Sequence, residues 1–146
     1  MRTLTLLLVE DDEVDRMAVR RALRERGIQA EIVEAHDGQE ALNMLAGISD
    51  RTPPGRPFIV LLDLNMPRVD GISFLQRLRQ DDTFNAHRHT VVFVMTTSRS
   101  QDDIQRAYEQ GISGYLVKSD YDESLSRIAT LLSDFESVVE FPAPND

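Results

Sequence analysis

The chain contains no cysteine, which excludes disulfides and thiolate metal sites. It also lacks a long apolar run. The stretch Leu4 to Val9 is too short to span a membrane. Arg2 precedes that stretch, but acidic residues follow at once and no small-residue cleavage site appears, so no signal peptide is read. A cytoplasmic protein with no membrane partner is the expectation. No internal repeat and no low-complexity segment is present. Nor does a Gly-rich phosphate loop follow the first apolar run, which argues against a nucleotide site. Positive charge is in short supply: 16 Lys and Arg face 25 Asp and Glu, for a net charge of −9. Affinity for nucleic acid comes from neutralising phosphates with basic side chains, so no nucleic-acid partner is expected. Most of the acidity serves solubility.

What remains is ordinary in bulk and specific in pattern. The 146 residues suit one domain with one core, at 41% hydrophobic and 28% charged. The domain is expected over residues 1–140. A tail over 141–146, with Pro142 and Pro144, is expected to be extended or frayed. Apolar runs recur at Leu4 to Val9, around Ile32 and Val33, at Phe58 to Leu64, at Val91 to Met95 and at Tyr115 to Val117. Several are nearly continuous in Val, Leu, Ile and Phe, as strands are when both faces are covered.

Helical patterns fill the gaps. Glu13 to Arg26 places Val14, Met17, Ala18, Arg21 and Ala22 on one side, with Gly27 as the stop. Asp37 with Glu40, and Asp120 with Glu123, are candidate capping boxes. Gly71 to Arg79 carries Ile72, Leu75 and Leu78. Gln101 to Gln110 carries Ile104, Ala107 and Tyr108. The last helix runs from Tyr121 to about Val139. The segment Gly47 to Pro57, with Pro53, Pro54, Gly55 and Pro57, reads as a surface loop. The order is β-α five times over, which predicts an α/β fold: a doubly wound parallel five-stranded sheet with helices on both faces.

In such sheets ligands bind outside the carboxyl ends of the strands. The first strand ends in Glu10, Asp11 and Asp12, the third in Asp63, the fourth in Thr96 and Thr97, and the fifth in Lys118. Carboxylates brought together repel and need an offsetting cation. Magnesium suits oxygen ligands and is usually held by one or two carboxylates plus phosphate oxygens. A carboxylate beside it can attack an activated phosphoryl group, whose charge a hydroxyl and an ammonium stabilise. Each feature alone has a plainer reading. Acids after a strand also suit the positive end of the next helix. A lone Lys after an apolar run is unremarkable. Asp63 is the sharpest, because a carboxylate straight after a buried run is costly unless neutralised.

Together these residues resemble the response-regulator receiver domain across about residues 4–132. The matching stretches are Leu7 to Asp12, Leu62 to Pro67, Asp70-Gly71, Met95 to Thr97 and Gly114 to Lys118. The resemblance implies a flavodoxin-like fold with strand order 2-1-3-4-5. It makes Asp63 the phosphoacceptor, with Thr96 and Lys118 contacting the phosphoryl group. Glu10, Asp11, Asp63 and the backbone carbonyl of Asn65 become the ligands of Mg2+ or another divalent cation. Thr96 and Tyr115 become the switch residues. The implied function is a phosphorelay step in which a partner histidine kinase phosphorylates a non-turnover acceptor. A phosphorylation-independent binding module and an aspartyl-phosphate phosphohydrolase are the competing readings. The latter lacks the length for a substrate cap.

One departure stands out. Ser119 follows Lys118 where the family usually has proline. A cis bond there costs about 2.5–4 kcal/mol, so either a trans bond or a strained cis bond is expected. The proline-rich loop, this junction and the ending Phe135 to Pro142 are similar to stand-alone regulators that partner phytochrome-type histidine kinases. Output is then expected through a surface, with no output domain after Val139. Ile104, Tyr108, Leu131, Phe135, Val138 and Phe141 are the candidate interface of a homodimer. Alternatively the last helix simply presents a wide core-facing side. His87 and His89 are a weak metal pair without a third ligand. Arg16, Arg20, Arg21 and Arg24 are read as a solvated face that the resemblance places near the kinase.

Overall fold

The apolar runs form the central sheet of a computed structural model that describes residues 3–55, 57–118 and 122–142. The strands are β1 (Leu4–Val9), β2 (Ala30–Ala35), β3 (Ile59–Leu62), β4 (Val91–Thr96) and β5 (Gly114–Val117). All neighbours pair in parallel, in the order β2-β1-β3-β4-β5. The helices are α1 (Glu13–Glu25), α2 (Gly38–Ala46), α3 (Gly71–Gln80), α4 (Gln101–Glu109) and α5 (Asp122–Val138).

Alternation along the strands divides the apolar side chains between two layers. Leu7, Val9, Val60, Leu62, Val92 and Val94 face α2, α3 and Ala107 of α4. Leu6, Leu8, Ile59, Leu61, Phe93 and Met95 face α1 and α5. Strands covered on both sides need apolar residues at every position, which is why β3 is buried throughout.

Register places the site. Val9 pairs with Leu62 and Leu62 with Val94, while Thr96 pairs with Val117. The residues just past these positions therefore emerge side by side at one edge. The Asp63 amide donates to the Val9 carbonyl at 3.0 Å, and the Lys118 amide to the Thr96 carbonyl at 2.8 Å.

Several local expectations hold. Gly27 takes φ 68° after α1, a conformation in which a side chain is strained. Ile72, Leu75 and Leu78 are buried on α3. Asp37 caps α2, accepting from the Glu40 amide at 2.7 Å. The return arm reaches the His36 amide instead of that of Asp37. The second capping box, Asp120 with Glu123, and the Lys118–Ser119 bond lie outside the described residues.

One reading needs correction. The buried side of α1 is Arg16, Val19, Ala22 and Leu23, whereas Val14 and Met17 are exposed. The pattern misled because a charged residue, Arg16, occupies a core-facing position. The stretch around His87 is a 3-10 helix over Asp82–His87 that buries Phe84 and His87.

Candidate functional site

Glu10 and Asp63 extend from β1 and β3 by one residue and are almost wholly buried, at 1% and 8% exposure. Asp11, the next residue, is exposed. One carboxylate oxygen from each of the three lies within 4.8 Å of the others, the only such metal-sized group among the described residues. All donors are hard oxygens, two buried and one open to solvent. That set fits an ion that keeps part of its water shell, and suits magnesium or manganese better than a soft metal. Asp12, whose role the sequence left open, caps α1 by accepting from the Val14 amide at 2.8 Å.

Lys118 enters from β5. Its ammonium donates to Glu10 Oε1 at 2.8 Å and to Asp15 Oδ2 at 2.9 Å. Burial pulls the Lys118 pKa down, but the bonds to Glu10 and Asp15 and the charges of Glu10 and Asp63 outweigh it, and the ammonium stays charged. Glu10 carries the opposite strain. Burial pushes its carboxyl up to about 8, with Asp63 adding to the rise and Lys118 only partly offsetting it. Without a further cation, this pocket takes up a proton on Glu10.

Thr96 is fully buried at the end of β4, and its Oγ1 accepts from the Ser98 amide at 3.4 Å. Asn65 is exposed, and its amide points to Asp63 Oδ1 at 3.4 Å. Tyr115 is half-buried, and its hydroxyl donates to the Ser98 carbonyl at 3.0 Å. Ser98 Oγ in turn donates to Asp103 Oδ2 at 2.6 Å. The loop leaving Thr96 is thus tied both to Tyr115 and to α4.

Asp15, Arg16 and Ser98 take roles here that their places in the sequence do not suggest. Asp15 binds the lysine. Arg16 donates from Nη1 to the Glu10 carbonyl at 2.8 Å and lies 3.3 Å from Glu34 Oε2. Ser98 holds Tyr115. The basic face proposed for α1 is accordingly smaller: Arg16 is buried and Arg20 pairs with Glu34, leaving Arg21 and Arg24 exposed. Among the described residues, His87 and His89 join no group of three candidate metal ligands. His87 is buried with its ring 6.1 Å from that of Phe58, while His89 is exposed.

The candidate interface residues divide. Tyr108, Leu131 and Val138 are exposed at 51%, 43% and 80%, and Ile104 is half-buried. Phe135 instead packs edge-on against Phe93 of β4 at 4.9 Å, and Phe141 packs on Phe135 at 6.1 Å. Both rings are partly buried by the chain itself. No helix among the described residues is long and apolar enough to cross a membrane.

A parallel 2-1-3-4-5 sheet with an acidic pocket and one lysine at its carboxyl edge defines the flavodoxin-like receiver fold. Residues 6–129 match the family described as the response regulator receiver domain, and the chain belongs to that family. It is 34% identical over 114 residues to the response regulator Rcp1 of Synechocystis, covering 78% of this chain and 76% of Rcp1. The phosphorylated cyanobacterial phytochrome response regulator RcpA superposes with a TM-score of 0.81 at 29% identity, covering 97% of this chain and all of RcpA. The Mn(2+)-bound form of Rcp1 gives a TM-score of 0.77 at 32% identity, over 96% and 99% of the two chains. The relative Rcp1 is thus a response regulator, and the structural neighbour RcpA a cyanobacterial phytochrome response regulator.

Proposed function

We infer that this protein is a cytoplasmic single-domain response regulator that takes a phosphoryl group from a histidine kinase onto Asp63. The supporting observation is the meeting of Glu10, Asp11 and Asp63 within 4.8 Å, with the Lys118 ammonium bound to Glu10. The Asp63 carboxylate oxygen attacks phosphorus, the bond to the kinase histidine breaks, and that imidazole leaves with the electron pair. Glu10, Asp11, Asp63 and the Asn65 carbonyl would hold a divalent cation, which draws charge from the transferring phosphoryl oxygens. Thr96 supplies a hydroxyl and Lys118 a positive charge to those oxygens. Tyr115, bonded to the Ser98 carbonyl, carries the change in the Thr96 loop toward α4.

The likeness to the phytochrome response regulator RcpA supports a phytochrome-type kinase as the partner. The protein accepts one phosphoryl group per cycle and is not a turnover enzyme. Its output is a surface, and the exposed Tyr108, Leu131 and Val138 support a homodimer through α4 and α5. The decisive test is intact-mass measurement after incubation with acetyl phosphate and magnesium. The wild type gains one phosphoryl group and Asp63→Asn gains none. Equal labelling of both would refute Asp63 as the acceptor.

A further inference from the structure

Lys118 is the only lysine of the chain. Among the described residues its two hydrogen-bond partners are Glu10 and Asp15, and Asp63 is not one of them. An ammonium has three N–H groups, so two are committed at rest. The two partners differ in kind. Glu10 is buried at the centre of the pocket, whereas the Asp15 side chain is 39% exposed on its rim. Asp15 is nonetheless held in place: it stands in the first turn of α1, and its amide donates to the cap residue Asp12 at 3.3 Å. A phosphoryl group on Asp63 adds negative charge beside the ammonium. Of the two carboxylates, Asp15 is the one that water can reach, so it gives up the lysine at the smaller cost and is the first to yield.

We propose that Asp15 is a positioning residue: it holds Lys118 in the unphosphorylated protein and releases it to the phosphoryl group, so that the Lys118–Asp15 bond opposes phosphorylation. The proposal rests on Asp63 being the phosphoacceptor. It sets Asp15 apart from the acidic pair, because its effect passes through the lysine and not through a metal. Removing its charge leaves Lys118 with Glu10 alone and frees a donor for the incoming phosphoryl oxygens.

The test is a double-mutant cycle, with Asp63 labelling by acetyl phosphate and magnesium as the readout. Asp15→Asn is expected to label about two- to fivefold faster than wild type, the range for a partly exposed ion pair, and to retain the phosphoryl group longer. Glu13→Gln, which removes an exposed charge from the same turn without touching Lys118, is expected to change the rate by less. In a Lys118→Met background the gain from Asp15→Asn should vanish. Slower labelling of Asp15→Asn, or an undiminished gain without Lys118, overturns the proposal. Absence of labelling in the wild type overturns the phosphoacceptor reading itself, which is a separate and recognisable outcome.

Discussion

Arg16 Nη1 donates a 2.8 Å hydrogen bond to the Glu10 carbonyl, tying the first helix to the floor of the acidic pocket. The same guanidinium lies 3.3 Å from Glu34 on β2, which Arg20 also meets. Breaking a buried pair leaves a charge without its partner. Arg16→Met should therefore cost about 3 kcal/mol, toward the low end because Arg20 still pairs with Glu34. Urea unfolding should show a lower midpoint with an unchanged slope. Adding Glu34→Leu should recover most of the loss, since an apolar pair of similar volume needs no compensation. No recovery in the double variant would contradict this account.

Gly71 marks where the loop after Asp63 folds back. Its amide donates to the Leu64 carbonyl at 2.9 Å, and a Cβ there would sit 2.6 Å from Leu64 Cα and 2.7 Å from the Asp63 carbonyl oxygen. Backbone atoms at that distance cannot swing aside. Gly71→Ala is expected to destabilise by about 1–3 kcal/mol, as overpacking does. It should also slow Asp63 labelling beyond what the stability loss explains, because the displaced backbone is that of Asp63. Melting and labelling indistinguishable from wild type would count against the close approach.

Sequence and structure agree where information is local or periodic. Continuous apolar runs at β1, β3 and β4 marked strands covered on both sides, and the charged or hydroxyl residue ending each run marked the pocket. The Lys118–Asp15 bond could not be read this way. Its partners are 103 residues apart, and only the rotation of α1 about its axis brings Asp15 toward β5. Arg16 was misplaced for a related reason: a charged residue scores as surface until its partners, the buried Glu10 and the half-buried Glu34, are known. Phe135 and Phe141 show the converse. Apolar residues at a helix end look wholly available for a partner until Phe135 is found packed on Phe93 and Phe141 on Phe135.

That distinction separates two kinds of variant on α5. Phe135→Ala removes a ring packed against Phe93 and should cost about 3 kcal/mol in thermal or urea unfolding. Val138→Glu and Leu131→Glu alter exposed positions and should stay within about 0.5 kcal/mol of wild type. If α4 and α5 form the homodimer face, these two charged variants should sediment as monomers at concentrations where the wild type is dimeric. A large stability loss in Val138→Glu, or an unchanged dimer in both charged variants, would move the interface elsewhere.

Glu10 supplies a dependence on pH whose sign can be worked out. Its carboxyl is held at about 8 in the folded, metal-free protein against an ordinary 4.5. Between those values the folded state binds a proton that the unfolded chain has released. The resulting stabilisation is complete below 4.5 and is lost as pH rises through about 8. Metal-free wild type should therefore lose unfolding free energy between about pH 4.5 and about pH 8, and Glu10→Gln, with no such proton to give up, should lose less. A divalent cation competes for the same carboxylate, so binding releases the proton. Apparent magnesium affinity should rise with pH by up to about tenfold per unit and level off above the Glu10 pKa. Urea unfolding of the metal-free protein across this range checks the first slope, and calorimetric titration with magnesium checks the second. In Glu10→Gln the affinity should be weaker and its pH dependence shallower. A wild-type affinity that does not change with pH would show that Glu10 is already ionised when the metal arrives.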